Sequence, residues 1–159
     1  MAVVKPASPP APPGGSAGLR HRNLPLLLLL AREGVIAQFR PILNAHGITE
    51  QQWRVLRVLV ESGALEPRQI GRLCGISSPS LAGVLARMEE QGLVVRAALA
   101  HDRRRQTVSA TPRSRRLAAR MAPEIEAAYA GIEARLGAPF VRELYAALDR
   151  VVQTLDGSA

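Results

Sequence analysis

Between Arg68 and Gly92 the chain reads RQIGRLCGISSPSLAGVLARMEEQG, and no other stretch constrains its fold as much. Ile70 and Leu73 are expected to supply core contacts on a short first helix, opened by Glu66-Pro67, with proline at a first helical position where an N–H would lack a partner. Leu81, Val84, Leu85 and Met88 recur at the spacing that builds one buried face of a second helix. The first helix is expected to end at Cys74-Gly75. The second should start at Ser77 or Ser78, with Ser77 as its cap, and stop at Gly92, where glycine can turn left-handed. Gly71 would let the helices approach closely and Gly75 would support the turn. A short helix, a tight turn and a helix beginning with small polar residues form the pattern of a helix-turn-helix unit, although a generic three-helix core shows the same periodicity.

The residues after Gly92 narrow the choice. Two extended runs, Leu93 to Leu99 and Gln106 to Ala110, flank His101-Asp102-Arg103-Arg104-Arg105, which predicts a hairpin with a basic tip. Upstream, Leu28, Leu29, Val35, Ile36, Phe39, Ile42 and Leu43 predict one long helix from about Asn23 to Gly47, with Pro41 as a site of bending. Thr49, with Gln52 three residues later, has the form of a capping box, opening a helix whose buried face is Trp53, Leu56 and Leu59 or Val60. Downstream, helices are expected from Pro112 to about Leu136, with Pro123 as a place for a kink, and from about Pro139 to Leu155, with Gly137 at the break.

Val141, Leu144, Leu148, Val151 or Val152 and Leu155 form a nearly unbroken apolar stripe. One small domain seldom needs so much apolar helix at both ends. Residues 23–47 and 112–156 are therefore expected to form a helical dimerisation region, packing against a twin subunit, with intramolecular packing as the alternative. Residues 48–111 would be the DNA-binding domain. Residues 1–22 would be a disordered tail, because their Pro, Ala, Gly and Ser cannot bury enough apolar surface to offset the entropy of ordering. The fold class is mainly α with a small β-hairpin wing, a winged helix-turn-helix whose terminal helices form a dimerisation domain.

A formal charge of +8 on 159 residues makes a polyanion the first partner to consider. Lys5 is the only lysine, and arginine's fixed fork of donors suits phosphates and base edges, although a GC-rich genome would encode the same bias. The single cysteine, Cys74, excludes an internal disulfide framework or a cysteine cluster for zinc and fits a cytoplasmic setting. Leu24 to Leu30 lacks a cleavage signal and is much shorter than the roughly 20 apolar residues of a membrane span, so no membrane partner is expected.

Within this frame Ser77, Ser78, Pro79, Ser80, Gly83 and Arg87 would face DNA, opposite the buried residues of their helix. Serine hydroxyls discriminate bases weakly, so DNA shape would supply much of the specificity. Arg68 and Arg72 are placed for phosphates, with an ordinary solvated face as the alternative. Arg103, Arg104 and Arg105 sit at the hairpin tip, where Arg104 is expected to enter a minor groove and Asp102 to hold it extended through a charge-assisted pair. The target would be double-stranded DNA with a palindromic operator, read by a homodimer.

The order of these elements and the text LVVRAALAHDRRRQTVSATP resemble the MarR family of bacterial winged-helix regulators, over about Leu24 to Leu155. The most specific pieces are Asp102-Arg103-Arg104, Ala110-Thr111-Pro112 and Met88-Glu89-Glu90-Gln91-Gly92-Leu93. Residues 39–59 and 78–94 look most like repressors of aromatic-acid catabolism, the homoprotocatechuate- and nicotinate-degradation regulators. Two positions depart from the family pattern, Ser114 where glycine is usual and Ala110 where leucine is usual. The resemblance implies a repressor released by a small aromatic acid bound between the dimer helices and the DNA-binding lobe.

Arg32 fills a gap in the apolar stripe of the first helix, and a buried guanidinium needs an anion, so the resemblance assigns it the ligand's carboxylate. Arg40, His46 and Trp53 would help line that cleft, with Arg20, His21 or Arg22 reaching in from the twin. Simpler roles exist: an ion pair or a snorkelling stem for Arg32, a helix C-cap for His46, core for Trp53. The alternative function is thiol redox sensing through Cys74, which Arg72 would activate, although its position suits an inert core thiol. No nucleophile, metal-ligand or phosphate-loop arrangement points to an enzyme, a cofactor or a metal.

Overall fold

The computed structural model describes residues 20–99 and 102–155. Residues 1–19 of the tail expected over residues 1–22, and the turn at His101, lie outside the described residues. The elements are α1 (Leu24–Ile36), α2 (Arg40–Ala45), α3 (Glu50–Ser62), α4 (Pro67–Cys74), α5 (Ser78–Glu90), β1 (Val94–Leu99), β2 (Asp102–Ala110), α6 (Pro112–Leu136) and α7 (Ala138–Leu155). This is the mainly helical, winged helix-turn-helix architecture expected. The chain divides into two units after Gly34.

In the first unit, Asn23 begins α1 by accepting the Leu26 N–H at 3.0 Å on its side-chain oxygen. The leucines of this helix are all at least partly in solvent, from Leu27 at 38% exposure to Leu30 at 59%.

The second unit opens with a correction. The single helix expected to run to Gly47 is two, because Pro41 has no N–H to bond the carbonyl four residues back and its ring crowds that turn. Gln38 and Phe39 bond back only three residues, to Val35 (3.1 Å) and Ile36 (3.0 Å), before α2 begins. Phe39 and Leu43 are buried there. The α3 capping box is present, with Gln52 N–H to Thr49 Oγ1 at 3.2 Å and Thr49 N–H to Gln52 Oε1 at 3.0 Å. Its buried face is Gln52, Val55, Leu56 and Leu59, while Trp53 and Val60 are only half-buried. Gln52 is tolerated inside because its amide also donates to Gln91 at 2.9 Å.

Helices α4 and α5 form the expected pair. Gly75 takes the left-handed conformation at φ 59, and the Ile76 N–H returns to the Gly71 carbonyl at 3.0 Å. A Cβ on Gly71 would stand 3.1 Å from the Ile76 carbonyl oxygen, which explains the glycine. Leu73 was expected in the core and is 61% exposed; Cys74, one turn after Ile70, is buried instead. The core direction favours the Cys74 side of this short helix. Leu81, Val84, Leu85 and Met88 are buried as expected.

The hairpin differs from its expected form. Val94 pairs with Ala110 and Ala98 with Gln106, but Leu99 pairs with Asp102, so the register shifts between Ala98 and Leu99. Asp102 to Arg105 thus belong to β2 rather than to a turn, with Arg103, Arg104 and Arg105 as a bulge. Leu65 makes an isolated bridge to the two-stranded wing by exchanging two hydrogen bonds with Val108, at 3.0 and 2.8 Å.

Thr111 caps α6 by accepting the Ser114 N–H at 3.2 Å and ties it to α5 through a bond to the Gly92 carbonyl at 2.8 Å. Ser114, where glycine was usual, is fully buried, with its hydroxyl on the Thr111 carbonyl at 3.0 Å. Helix α6 continues through Pro123 and buries Ser114, Leu117, Met121 and Ile125. By contrast, α7 has no buried residue, and Phe140 (50%), Tyr145 (55%) and Leu155 (69%) stand largely in solvent.

Candidate nucleic-acid interface and ligand groove

The outward face of α5 is built from small residues because the inward positions carry all its large apolar ones. Ser77, Ser78, Pro79, Ser80 and Arg87 are exposed, and Gly83 is half-buried among them. Ala82 and Ala86 share this exposed face, although their small size gave no signal in the sequence. Ser77 occupies the cap position, but its hydroxyl donates to Ser80 Oγ at 3.1 Å and caps no backbone amide. The first-turn amides of α5 therefore keep their capacity to donate to an anion. Arg87 folds beside Gly83, its Nη1 3.7 Å from where a Cβ would stand. Arg68 and Arg72 are exposed on α4.

The wing separates its arginines. Asp102 was expected to pair with the Arg104 guanidinium; instead its carboxylate accepts the Arg104 backbone N–H at 3.0 Å, in a local turn. The Arg104 side chain is exposed. Arg105 donates through Nε to Glu66 Oε2 at 3.3 Å and through Nη2 to Glu66 Oε1, a two-bonded pair reaching from the wing to the start of α4. This carboxylate raises the Arg105 pKa further. The Arg103 side chain lies outside the described residues.

A groove of about 620 Å³ runs between α6 and α7, with Arg57 of α3 on its wall. Tyr129, Ile132, Leu136, Val141, Leu144 and Leu148 supply most of its apolar lining. Arg57 donates from Nε to Glu61 at 2.8 Å and from Nη1 to the Tyr129 hydroxyl at 2.9 Å, and its guanidinium carbon stands 5.8 Å from the Tyr129 ring centre. The hydrogen bond to Glu61 is the main cause that raises the Arg57 pKa, against an opposing effect of burial. Phe39 fixes the Tyr129 ring from behind, with centroids 4.8 Å apart and planes at 60°. The lining also holds a second phenol, Tyr145, and two carboxylates, Glu126 and Glu133, so Arg57 is the one cation in a largely apolar groove suited to a flat molecule with an anionic end turned to it.

Of the ligand residues expected from sequence, Arg40, His46 and Trp53 belong to the same unit as this groove and are not among its lining. Arg32, expected to be buried, is 47% exposed and donates to Glu33 at 2.9 Å within the first unit. Arg40 lies 4.0 Å from Glu50. His46 caps α2 and bonds Glu124 at 2.8 Å, while Trp53 packs against the core. Arg20, His21 and Arg22 are exposed in the first unit. Arg57 and Tyr129 were missed because they are 72 positions apart in sequence. The available signal was Arg57 itself, a cation one turn after Trp53 on an amphipathic helix.

Cys74 is 5% exposed, and burial raises its thiol pKa, with Arg54 rather than Arg72 as the cation that partly offsets this. Among the described residues no group of three His, Cys, Asp or Glu could hold a metal ion, and no helix is long and apolar enough to cross a membrane.

A model of the MarR family matches residues 46–105. The homoprotocatechuate degradative operon repressor of Escherichia coli is 39% identical over 132 residues, covering 83% of this chain and 89% of that protein. The HTH-type transcriptional regulator FarR of Neisseria gonorrhoeae is 36% identical over 140 residues, 86% of this chain and 96% of FarR. The crystal structure of NadR in complex with 4-hydroxyphenylacetate superposes with a TM-score of 0.76 at 36% identity, covering 86% of this chain and 97% of NadR.

Proposed function

The chain belongs to the MarR family of non-enzymatic transcriptional regulators, and on that footing we propose that it is a homodimeric repressor of a catabolic operon, released from DNA by a small aromatic carboxylic acid. Residues 48–111 read a palindromic operator, and 23–47 with 112–156 join the two subunits. The first turn of α5 meets phosphates and base edges, Arg87 reaches into the major groove, Arg68 and Arg72 bind phosphates, and Arg104 enters a minor groove.

The observation that carries the effector reading is the Arg57–Tyr129 pair in its apolar groove. Arg57 offers a fork of donors to a carboxylate, and Tyr129 with its apolar neighbours encloses a ring. Because α3 also packs on α4 and α5, an acid lodged between α3, α6 and α7 bears on the placement of the reading helices. An acid that prefers a dimer with wrongly spaced reading helices lowers the population able to bind DNA. NadR, bound to 4-hydroxyphenylacetate, and the homoprotocatechuate repressor support this effector class.

The test is to recover a duplex from random-sequence DNA by selection, preform the complex, and titrate hydroxyphenylacetates and hydroxynicotinates. Release of DNA by an acid is expected from the native protein. Arg57→Ala should hold DNA and lose most of that response, about tenfold or more in acid concentration. A variant that responds unchanged would remove Arg57 from the site. The thiol alternative gains no support, since Cys74 is buried and its thiolate disfavoured.

A further inference from the structure

The wing is stitched to the segment before α4 at two points. Leu65 exchanges two backbone bonds with Val108, and the next residue, Glu66, reaches Arg105. Pro67 favours the extended conformation of Glu66, φ −74 and ψ 149, directly after the bridge residue Leu65. On the other side of the bulge, Asp102 holds the Arg104 backbone amide. The bulge residues are thus fixed at both ends, and no ion pair engages the Arg104 guanidinium among the described residues.

We infer that Glu66 is a positioning residue for the wing, holding Arg105 as a structural strut so that the bulge presents Arg104 to DNA. The inference rests on the DNA-binding reading. It divides the wing's arginines by role: Arg105 turns its donors inward to a carboxylate, whereas Arg104 keeps all of its own for a nucleic acid. An exposed pair is usually weak, but here both partners are already anchored, Glu66 beside a backbone bridge and Arg105 within a bulged strand, so less freedom is lost in forming it.

The experiment measures binding of full-length protein to a duplex recovered from random-sequence selection, across a salt series, with a mixed-sequence duplex as control. Glu66→Gln and Arg105→Gln should each weaken binding to the selected duplex about fivefold, and the double variant no more than either alone. Neither should change the salt dependence, whereas Arg104→Gln, which removes a cation from the minor groove, should lower its slope by about 0.9, the signature of one cation fewer on the DNA. Weak binding to mixed-sequence DNA should stay within error for both, and so should the thermal midpoint of Arg105→Gln, which leaves Glu66 in place as the cap of α4; this separates positioning from folding. Three results overturn the strut: a salt slope lowered by Arg105→Gln, tighter binding by Glu66→Gln, or no effect of either. If the native protein retains no duplex at all, the DNA-binding reading itself fails.

Discussion

Cys74 shows how one side chain's surroundings decide its chemistry. Its position in the sequence suited an inert core thiol, with Arg72 as the one neighbour that would favour thiolate, and the helix does turn it into the core while leaving Leu73 outside. Burial disfavours the charged thiolate, and the Arg54 guanidinium only partly offsets it. The folded state therefore keeps its proton to higher pH than the unfolded chain. The contribution of this group to stability is complete below the ordinary thiol pKa, then declines as pH rises from there through the raised folded value. Urea melts across the alkaline range should show that decline in native protein and a shallower one in Cys74→Ala. Equal slopes would mean the thiol titrates normally. Arg57 carries the same lesson: it interrupts an apolar helical pattern, and only the fold reveals the groove and the Tyr129 hydroxyl that it faces.

At the scale of elements, signals carried within a few residues were readable and those set by distant pairing were not. The Thr49 capping box, the caps at Gly75 and Gly137 and the buried face of α5 all arise from local chemistry. The wing bulge, the Leu65–Val108 bridge and the Glu66–Arg105 pair depend on strand register, which no single segment specifies. Pro41 was visible, yet whether it bends or breaks a helix depends on what packs around it. Gly71 tests the tightest element contact. Alanine in an open helix usually adds up to about 1 kcal/mol of stability over glycine. At Gly71 its methyl would meet the Ile76 carbonyl, whose residue is tied back to Gly71 by a hydrogen bond and cannot easily yield. Gly71→Ala should cost about 1–2 kcal/mol in urea unfolding. Gly131→Ala on α6, with nothing within 4 Å, should be neutral or stabilising. Stabilisation at both positions would show that the helices are not in close contact.

For the whole molecule the question is what covers the apolar surface of α7. Phe140, Tyr145, Leu148, Val151, Val152 and Leu155 are each 39% to 69% exposed in the single chain. Fully burying such a side chain is worth about 1.5–3 kcal/mol, so covering a half-exposed one gains about 1 kcal/mol. A two-fold interface counts every residue twice, which brings these six to the order of 10 kcal/mol. Association costs roughly 4–15 kcal/mol in lost freedom, so a two-fold interface built on α7 alone would be marginal. A single charge in this surface should then tip the balance. Val152→Glu, at a position 56% exposed, should barely affect a monomer's fold. If the protein is an obligate dimer, the variant should sediment as a monomer at micromolar concentration. Its thermal midpoint should fall, and its affinity for a palindromic duplex should drop toward that for one half-site. A native protein whose midpoint is independent of concentration, together with a Val152→Glu variant that binds the palindrome normally, would leave α7 without a twin and require each wing to act alone.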